Sequence, residues 1–218
     1  PSPSTFYEML RSAAPPPSSN VKLFVDTSDV YCHPFDSRHQ VDNQIRAAAK
    51  TLPIAVSTKS GMNRISNEST GWREGNKLAF TQQILDAKKN CNADEDEPLF
   101  LWQTHHTRSD TLVEAMSAAK SLISSKKLLH VGLCNATVSQ IEAAYDIVGN
   151  HLLTVQNEYS LFNMEAEKPL PPTASASSKK GVMSACARLG ITFVAHSPLG
   201  GLKTRREQRN VGRKSDKL

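Results

Sequence analysis

Short apolar runs alternate with longer segments of mixed apolar and polar residues along most of the chain. Apolar runs bounded by turn-forming residues indicate β-strands, and apolar residues three or four positions apart indicate α-helices. We predict strands at residues 21–25, 53–58, 99–103, 128–133, 152–156 and 191–195. We predict helices at residues 4–13, 39–50, 74–89, 111–123, 137–148 and 180–189, and loops at residues 60–75 and 168–178.

Local signals mark the ends of three of these helices. Thr111-x-x-Glu114 and Thr137-x-x-Gln140 each match the capping box that begins a helix. Gly190 follows the last predicted helix, and glycine at that place is a natural helix C-terminus.

Alternating strands and helices predict an α/β fold. The strand sequences are apolar on both faces, which is typical of parallel strands covered by helices. Two architectures have this pattern, an open doubly wound sheet and a (β/α)8 barrel. No G-x-G-x-x-G follows the first strand, which counts against a dinucleotide-binding doubly wound sheet.

Polar side chains stand at the C-terminal end of every predicted strand. In a barrel the carboxyl ends of the strands share one face, and that face carries the chemistry. We therefore expect one site that contains the strand-end residues Asp26, Lys59, His105, Asn135, Gln156 and Ser197.

Six short segments that end these strands resemble the aldo-keto reductase family. The first, F-V-D-T-S-D-V-Y at residues 24–31, is similar to the family's F-x-D-T-A-x-x-Y. The others stand in family order: S-T-K at 57–59, L-W-Q-T-H-H at 101–106, V-G-L-C-N at 131–135, V-Q-N-E-Y at 155–159 and A-H-S-P-L-G-G at 195–201. The resemblance covers about residues 5–201 and implies an incomplete (β/α)8 barrel, with about six of eight βα units.

The resemblance also implies how the chain is divided. Residues 1–202 would form the partial barrel, without the family's first strand and its last βα unit. Residues 203–218 would be a basic tail or the start of that last unit. We expect the chain to be a fragment of a longer product, or else a half-barrel that has diverged or that another chain completes.

By resemblance, the catalytic residues are Asp26, Tyr31, Lys59 and His105. Tyr31 would give a proton to a carbonyl oxygen, which needs a donor as negative charge develops on it. Lys59, held by Asp26, would favour the ionised tyrosine, since a nearby cation lowers a tyrosine pKa. His105 would orient the carbonyl. We choose it over His106 because Gln103 and His105 keep the family spacing.

The family's cofactor is NADP(H), and the resemblance assigns five residues to it. Asn135 and Gln156 would bind the nicotinamide carboxamide, His196 would stack on the ring, and Ser197 and Leu199 would face the pyrophosphate. Trp72, in the loop at residues 60–75, would contact a substrate.

The implied function is NADPH-dependent transfer of a hydride between the cofactor and a small-molecule aldehyde, ketone or alcohol. The alternative is a non-catalytic NADP(H)-binding regulatory member of the family, or an inactive fragment. The presence of all four catalytic residues that the resemblance implies favours the enzyme.

Charge and composition argue against several kinds of partner and location. The net charge of +5 lies entirely within residues 203–218, so the rest of the chain is neutral and nucleic-acid binding is not expected. No run approaches the ~18 apolar residues of a membrane span, and no signal peptide opens the chain. Four widely spaced cysteines without a C-x-x-C pair argue against a metal site and for reduced thiols, hence a cytoplasmic location.

Overall fold

The computed structural model describes residues 3–16, 18–31, 40–64, 72–74, 78–92, 94–168 and 181–200. Its helices are α1 (Pro3–Ala13), α2 (Gln40–Ala49), α3 (Phe80–Cys91), α4 (Leu112–Ser124), α5 (Val138–Val148) and α6 (Val182–Leu189). Its strands are β1 (Leu23–Asp26), β2 (Ile54–Ser60), β3 (Met62–Arg64), β4 (Trp72–Glu74), β5 (Leu99–Thr104), β6 (Leu128–Cys134), β7 (Leu152–Glu158) and β8 (Thr192–His196). Single 3₁₀ turns lie at Gly149–His151 and Glu165–Glu167.

Six of the strands form one parallel sheet in the order β1-β2-β5-β6-β7-β8. The order follows the chain without a reversal, and a doubly wound sheet would have a switch point where the order reverses. This topology is that of consecutive units of a (β/α)8 barrel, so the predicted incomplete barrel is confirmed. The boundary expected at residue 202 and the tail at 203–218 lie outside the described residues.

The predicted strands and helices are confirmed, with ends that move by a few residues, but the predicted loop at residues 60–75 is partly wrong. Strands β3 and β4 pair there as an antiparallel hairpin, and α3 begins only at Phe80. The short segments M-N-R and W-R-E have no alternation of apolar and polar residues. Their pairing is therefore not visible in the sequence. Of the loop predicted at 168–178, only residue 168 is described.

The core lies between the sheet and its helices. It contains Leu99, Trp102, Leu128, Val131, Leu133 and Ile141 among its buried side chains. The prediction that both strand faces are buried holds for most of β2 and β5 but is wrong for β1, where Phe24 is 44% exposed. In the described part of the chain β1 has a strand neighbour on one side only.

One of the two predicted capping boxes forms. The Thr137 hydroxyl accepts from the Gln140 amide, and the Gln140 side chain accepts from the Thr137 amide. Thr111 makes no side-chain cap, because its backbone is already in the helical region (φ −116°, ψ −1°) rather than extended. Gly190 ends α6 in the left-handed conformation, at φ 69°, as predicted.

The two threonines give a matched test of this difference. We expect Thr137→Ala to lower the free energy of unfolding by about 1 kcal/mol, because it removes a side-chain cap. Thr111→Ala should change it by less than about 0.5 kcal/mol, because no cap is lost. Urea denaturation of both variants measures the difference. Equal losses would contradict the assignment of the caps.

Candidate active site

An ion pair joins the ends of β1 and β2. The Lys59 ammonium donates to Asp26 Oδ2 at 2.5 Å and to the carbonyl oxygen of Thr27 at 3.0 Å. The Lys59 side chain is 1% exposed and that of Asp26 is 26% exposed. A buried ammonium is stable only when it is paired, and the parallel register, which sets Asp26 beside Ser57, brings this carboxylate within reach.

The Asp26 carboxylate also accepts three neutral hydrogen bonds. Ser57 Oγ donates to Oδ1 at 2.8 Å, Gln103 Nε2 to Oδ1 at 3.0 Å, and Gln156 Nε2 to Oδ2 at 3.0 Å. A carboxylate offers about four acceptor positions, so the ion pair and these three bonds use them all. Asp26 is therefore fixed by side chains from three further strands.

A second layer of contacts holds Gln103. Thr154 Oγ1 donates to Gln103 Oε1 at 3.1 Å. Gly132 makes this approach possible, because a Cβ there would lie 2.3 Å from Thr154 Oγ1 and 2.9 Å from the Gln103 side chain. Ser57, Gln103 and Thr154 were not among the predicted site residues. A signal was present: Ser57 and Lys59, and likewise Thr154 and Gln156, are polar residues two apart in one predicted strand, and so share a face.

Tyr31 and His105 lie next to the ion pair. Their rings meet edge to face, with centroids 5.7 Å apart, and Lys59 Nζ is 5.4 Å from the centroid of the tyrosine ring. A turn after β1, closed by the bond from the Tyr31 amide to the Ser28 carbonyl, places the ring. Tyr31 is 42% exposed, so a small molecule can reach it.

The pKa of Tyr31 is raised to about 12. Burial is the main cause, followed by the charges of Asp26 and Cys134. The raised pKa is the reverse of the lowering that was expected from Lys59. The Lys59 charge is balanced at close range by Asp26. Tyr31 therefore keeps its proton at neutral pH and can donate it.

The pKa of His105 is lowered to about 4, first by burial and next by the charge of Lys59. The imidazole is therefore neutral at pH 7. The backbone amide of His105 donates to the Ser60 carbonyl at 2.9 Å, which continues the hydrogen bonding of the sheet beyond β5. His106, the alternative, lines a separate cavity between α3 and α4.

Asn135 and Gln156 present a donor and an acceptor at the ends of β6 and β7. In the described part of the chain, the side-chain nitrogen Nδ2 of Asn135 makes long contacts only, 3.4 Å to Cys134 Sγ and 3.5 Å to the His105 carbonyl. Gln156 Oε1 has one long contact, 3.7 Å from Cys134 Sγ. A donor and an acceptor that make only long contacts among the described residues can complement a carboxamide, the group that the nicotinamide of NADP(H) carries.

The residues that follow β6 and β8 have strained backbones. Asn135 has φ 57° and Ser197 has φ 54°, a conformation that few non-glycine residues adopt. Asn157 supports the first turn: it accepts from the Ala136 amide at 3.0 Å and donates to the Ala136 carbonyl at 2.8 Å. Such strain persists where surrounding structure holds it, often at functional sites.

His196 links the two strained turns. Its Nε2 lies 2.8 Å from Asn135 Oδ1, and its Nδ1 lies 3.3 Å from Ser197 Oγ. Leu199 is 90% exposed. The structure thus joins His196 and Ser197 to Asn135. No hydrogen bond links Leu199 to these residues within the described part of the chain.

The predicted contact of Trp72 with a substrate involves a side chain that is not described. The Trp72 backbone lies in β4, but its side chain, like Cys32, lies outside the described residues. Cys91, Cys134 and Cys186 are buried free thiols. Among the described residues no group of His, Cys, Asp and Glu could hold a metal ion, and no described helix is long and apolar enough to cross a membrane.

Comparison with known proteins adds independent findings. The sequence profile of the aldo/keto reductase family matches residues 2–217 of this chain. The chain is 29% identical over 184 residues to an aldo-keto reductase of Schizosaccharomyces pombe whose name specifies NADP(+). That match covers 81% of this chain and 48% of the relative.

Solved structures are similar in fold. A glycerol dehydrogenase from Gluconobacter oxydans aligns with a TM-score of 0.61 at 17% identity, over 79% of this chain and 48% of that protein. The holo form of an aldo-keto reductase from Bacillus halodurans aligns with a TM-score of 0.64 at 15% identity, over 88% and 57% of the two chains. The chain spans about half the length of these proteins.

Proposed function

This chain belongs to the aldo/keto reductase family, and we propose that it catalyses the NADPH-dependent reduction of an aldehyde or ketone, or the reverse oxidation of an alcohol. The observation that carries the proposal is the convergence of Asp26, Tyr31, Lys59 and His105 at adjacent strand ends. The name of the fission-yeast relative specifies NADP(+), which supports the choice of cofactor.

The proposed reduction needs a donor for the carbonyl oxygen. Bound NADPH would supply the hydride to the carbonyl carbon. Tyr31 then gives its proton to the oxygen, which leaves an alcohol and a phenolate. The phenolate regains a proton from water. Lys59, 5.4 Å from the tyrosine ring centroid, stabilises the negative charge on the phenolate.

Eight further residues have supporting roles. Asp26 keeps the Lys59 ammonium at the site through the ion pair. His105 is neutral and donates a hydrogen bond that orients the carbonyl. Asn135 and Gln156 bind the carboxamide, because Asn135 Nδ2 and Gln156 Oε1, which make only long contacts among the described residues, complement it as donor and acceptor. We also propose that His196 stacks on the nicotinamide, that Ser197 and Leu199 face the pyrophosphate, and that Trp72 contacts the substrate.

We propose a cytoplasmic location, because the three described cysteines are free thiols, which a reducing compartment maintains. The substrate is a small carbonyl compound rather than a macromolecule, since the site lies at the strand ends and reaches solvent through the partly exposed ring of Tyr31.

The proposal is tested by mixing the purified protein with NADPH and a panel of aldehydes and ketones. We expect NADPH to be oxidised only when a carbonyl compound is present, and more slowly with NADH. NADPH binding is measured separately by fluorescence quenching. Binding without turnover would identify the non-catalytic nucleotide-binding alternative, and a lack of binding would contradict both functions.

A further inference from the structure

Ser28 contacts the imidazole of His105 from below the site. It follows Asp26 by two residues, is 0% exposed, and its Oγ lies 2.9 Å from His105 Nδ1. The main chain of His105 is held separately, by the bond from its amide to the Ser60 carbonyl. The ring of His105 therefore has a polar partner of its own, buried on the side of Nδ1.

A neutral imidazole has one N–H, and its other nitrogen accepts a hydrogen bond. Burial and the charge of Lys59 lower the pKa of His105 to about 4, so the neutral form is present at pH 7. The tautomer is then set by the partner of Nδ1. If Nδ1 accepts, the hydrogen is on Nε2; if Nδ1 donates, Nε2 is bare.

The Ser28 hydroxyl has one hydrogen and three acceptors within reach. These are His105 Nδ1 at 2.9 Å, the Lys59 carbonyl at 3.2 Å and Asp29 Oδ1 at 3.2 Å. The Lys59 carbonyl already accepts from the Asp29 amide at 3.1 Å. The Val30 amide approaches Ser28 Oγ at 3.4 Å and takes up a lone pair. The shortest contact, to Nδ1, is the one we assign to the hydroxyl hydrogen.

We propose that Ser28 is a positioning residue: by donating to Nδ1 it holds His105 in the tautomer whose hydrogen is on Nε2. Nε2–H is then the donor to the carbonyl oxygen of the substrate. The catalytic consequence rests on the proposed function, but the tautomer does not. The F-x-D-T-A-x-x-Y pattern has alanine where this chain has Ser28. An alanine has no hydroxyl, so the proposed hydrogen bond to Nδ1 depends on the serine of this chain.

NMR of isotope-labelled histidine nitrogens at pH 7 tests the tautomer. The His105 signals are identified by their loss in His105→Gln. We expect a protonated Nε2 and an unprotonated Nδ1 in the unmodified protein. In Ser28→Ala both nitrogens should move toward values averaged over two tautomers. A protonated Nδ1 in the unmodified protein, or unchanged His105 signals in Ser28→Ala, would overturn the proposal.

Activity provides the second measurement. Ser28→Ala should lower kcat/KM for carbonyl reduction by about threefold to tenfold, the value of one hydrogen bond. Ser28→Thr keeps the hydroxyl and should restore both the rate and the His105 signals. Ser160→Ala is the control, because Ser160 is also buried and, among the described residues, its hydroxyl accepts only from the Phe162 and Asn163 amides. Ser160→Ala should change neither the rate nor the His105 signals.

The two measurements separate the two claims. If the unmodified protein reduces no carbonyl compound, the proposed function fails, while the NMR comparison still decides the role of Ser28. If Ser28→Ala loses rate but Ser28→Thr does not recover it, and thermal unfolding shows both variants folded, the hydroxyl is not the cause and the proposal is overturned.

Discussion

Replacing Tyr31 with phenylalanine is expected to lower kcat for carbonyl reduction by at least about a hundredfold, the usual contribution of a positioned general acid. The substitution removes the hydroxyl and keeps the ring, so the edge-to-face contact with His105 and the contact with Lys59 remain. NADPH affinity should therefore stay within about twofold, because no proposed contact with the cofactor is lost.

The control for this variant is Tyr145→Phe. Tyr145 lies on α5, and its hydroxyl donates to Asn150 Oδ1 at 2.8 Å, with no hydrogen bond to a site residue within the described part of the chain. It removes the same atom and should leave kcat unchanged. Carbonyl-dependent NADPH oxidation gives kcat for both variants, and fluorescence quenching gives the affinity. Full activity in Tyr31→Phe would show that another group supplies the proton.

The pKa of Tyr31 fixes the sign of the pH dependence of the same reaction. Because the pKa is raised to about 12, the donor form persists as pH rises through the neutral range. Reduction should not lose rate to ionisation of this group below about pH 10. Alcohol oxidation needs the ionised form and should accelerate with rising pH over the same range. In Tyr31→Phe, alcohol oxidation should no longer accelerate with rising pH, because the ionisable hydroxyl is gone.

The sequence predicted the sheet well because each strand is a local apolar run between turn signals. It also predicted which side chains meet. In parallel strands joined by helices, all carboxyl ends lie on one face, so Asp26, Lys59 and His105 converge without any knowledge of distances. The pairing of β3 with β4 was not predictable, since it depends on hydrogen bonds between short segments without a distinctive pattern.

The contacts that tune the site were less visible in the sequence. Ser28 is one polar residue in a turn, and only the structure shows its hydroxyl beside His105. The direction of the Tyr31 pKa shift was expected to follow Lys59 and instead follows burial. Burial and the balance between two neighbouring charges depend on packing in three dimensions, which residue spacing does not specify.

Removing the charge of Asp26 is expected to have the largest effect on stability. Asp26→Asn should lower the free energy of unfolding by about 3 kcal/mol, because it leaves a buried ammonium without its counter-ion. Lys59 is 1% exposed, and the only other bond of its ammonium in the described part of the chain is to the Thr27 carbonyl. Glu142→Gln is the matched control, since Glu142 pairs with Arg188 at the surface and should change stability by less than about 1 kcal/mol.

Lys59→Met completes a double-mutant cycle with Asp26→Asn. Lys59→Met should be less destabilising than Asp26→Asn, because Asp26 keeps three neutral donors when the ammonium is gone. The double variant should recover part of the loss caused by Asp26→Asn, since no buried charge then lacks a partner. Urea denaturation should give a coupling energy above about 1 kcal/mol. A coupling near zero, or an Asp26→Asn loss as small as that of Glu142→Gln, would mean that the pair does not hold the Lys59 charge in place. The charge assistance proposed for Tyr31 would then have no structural basis.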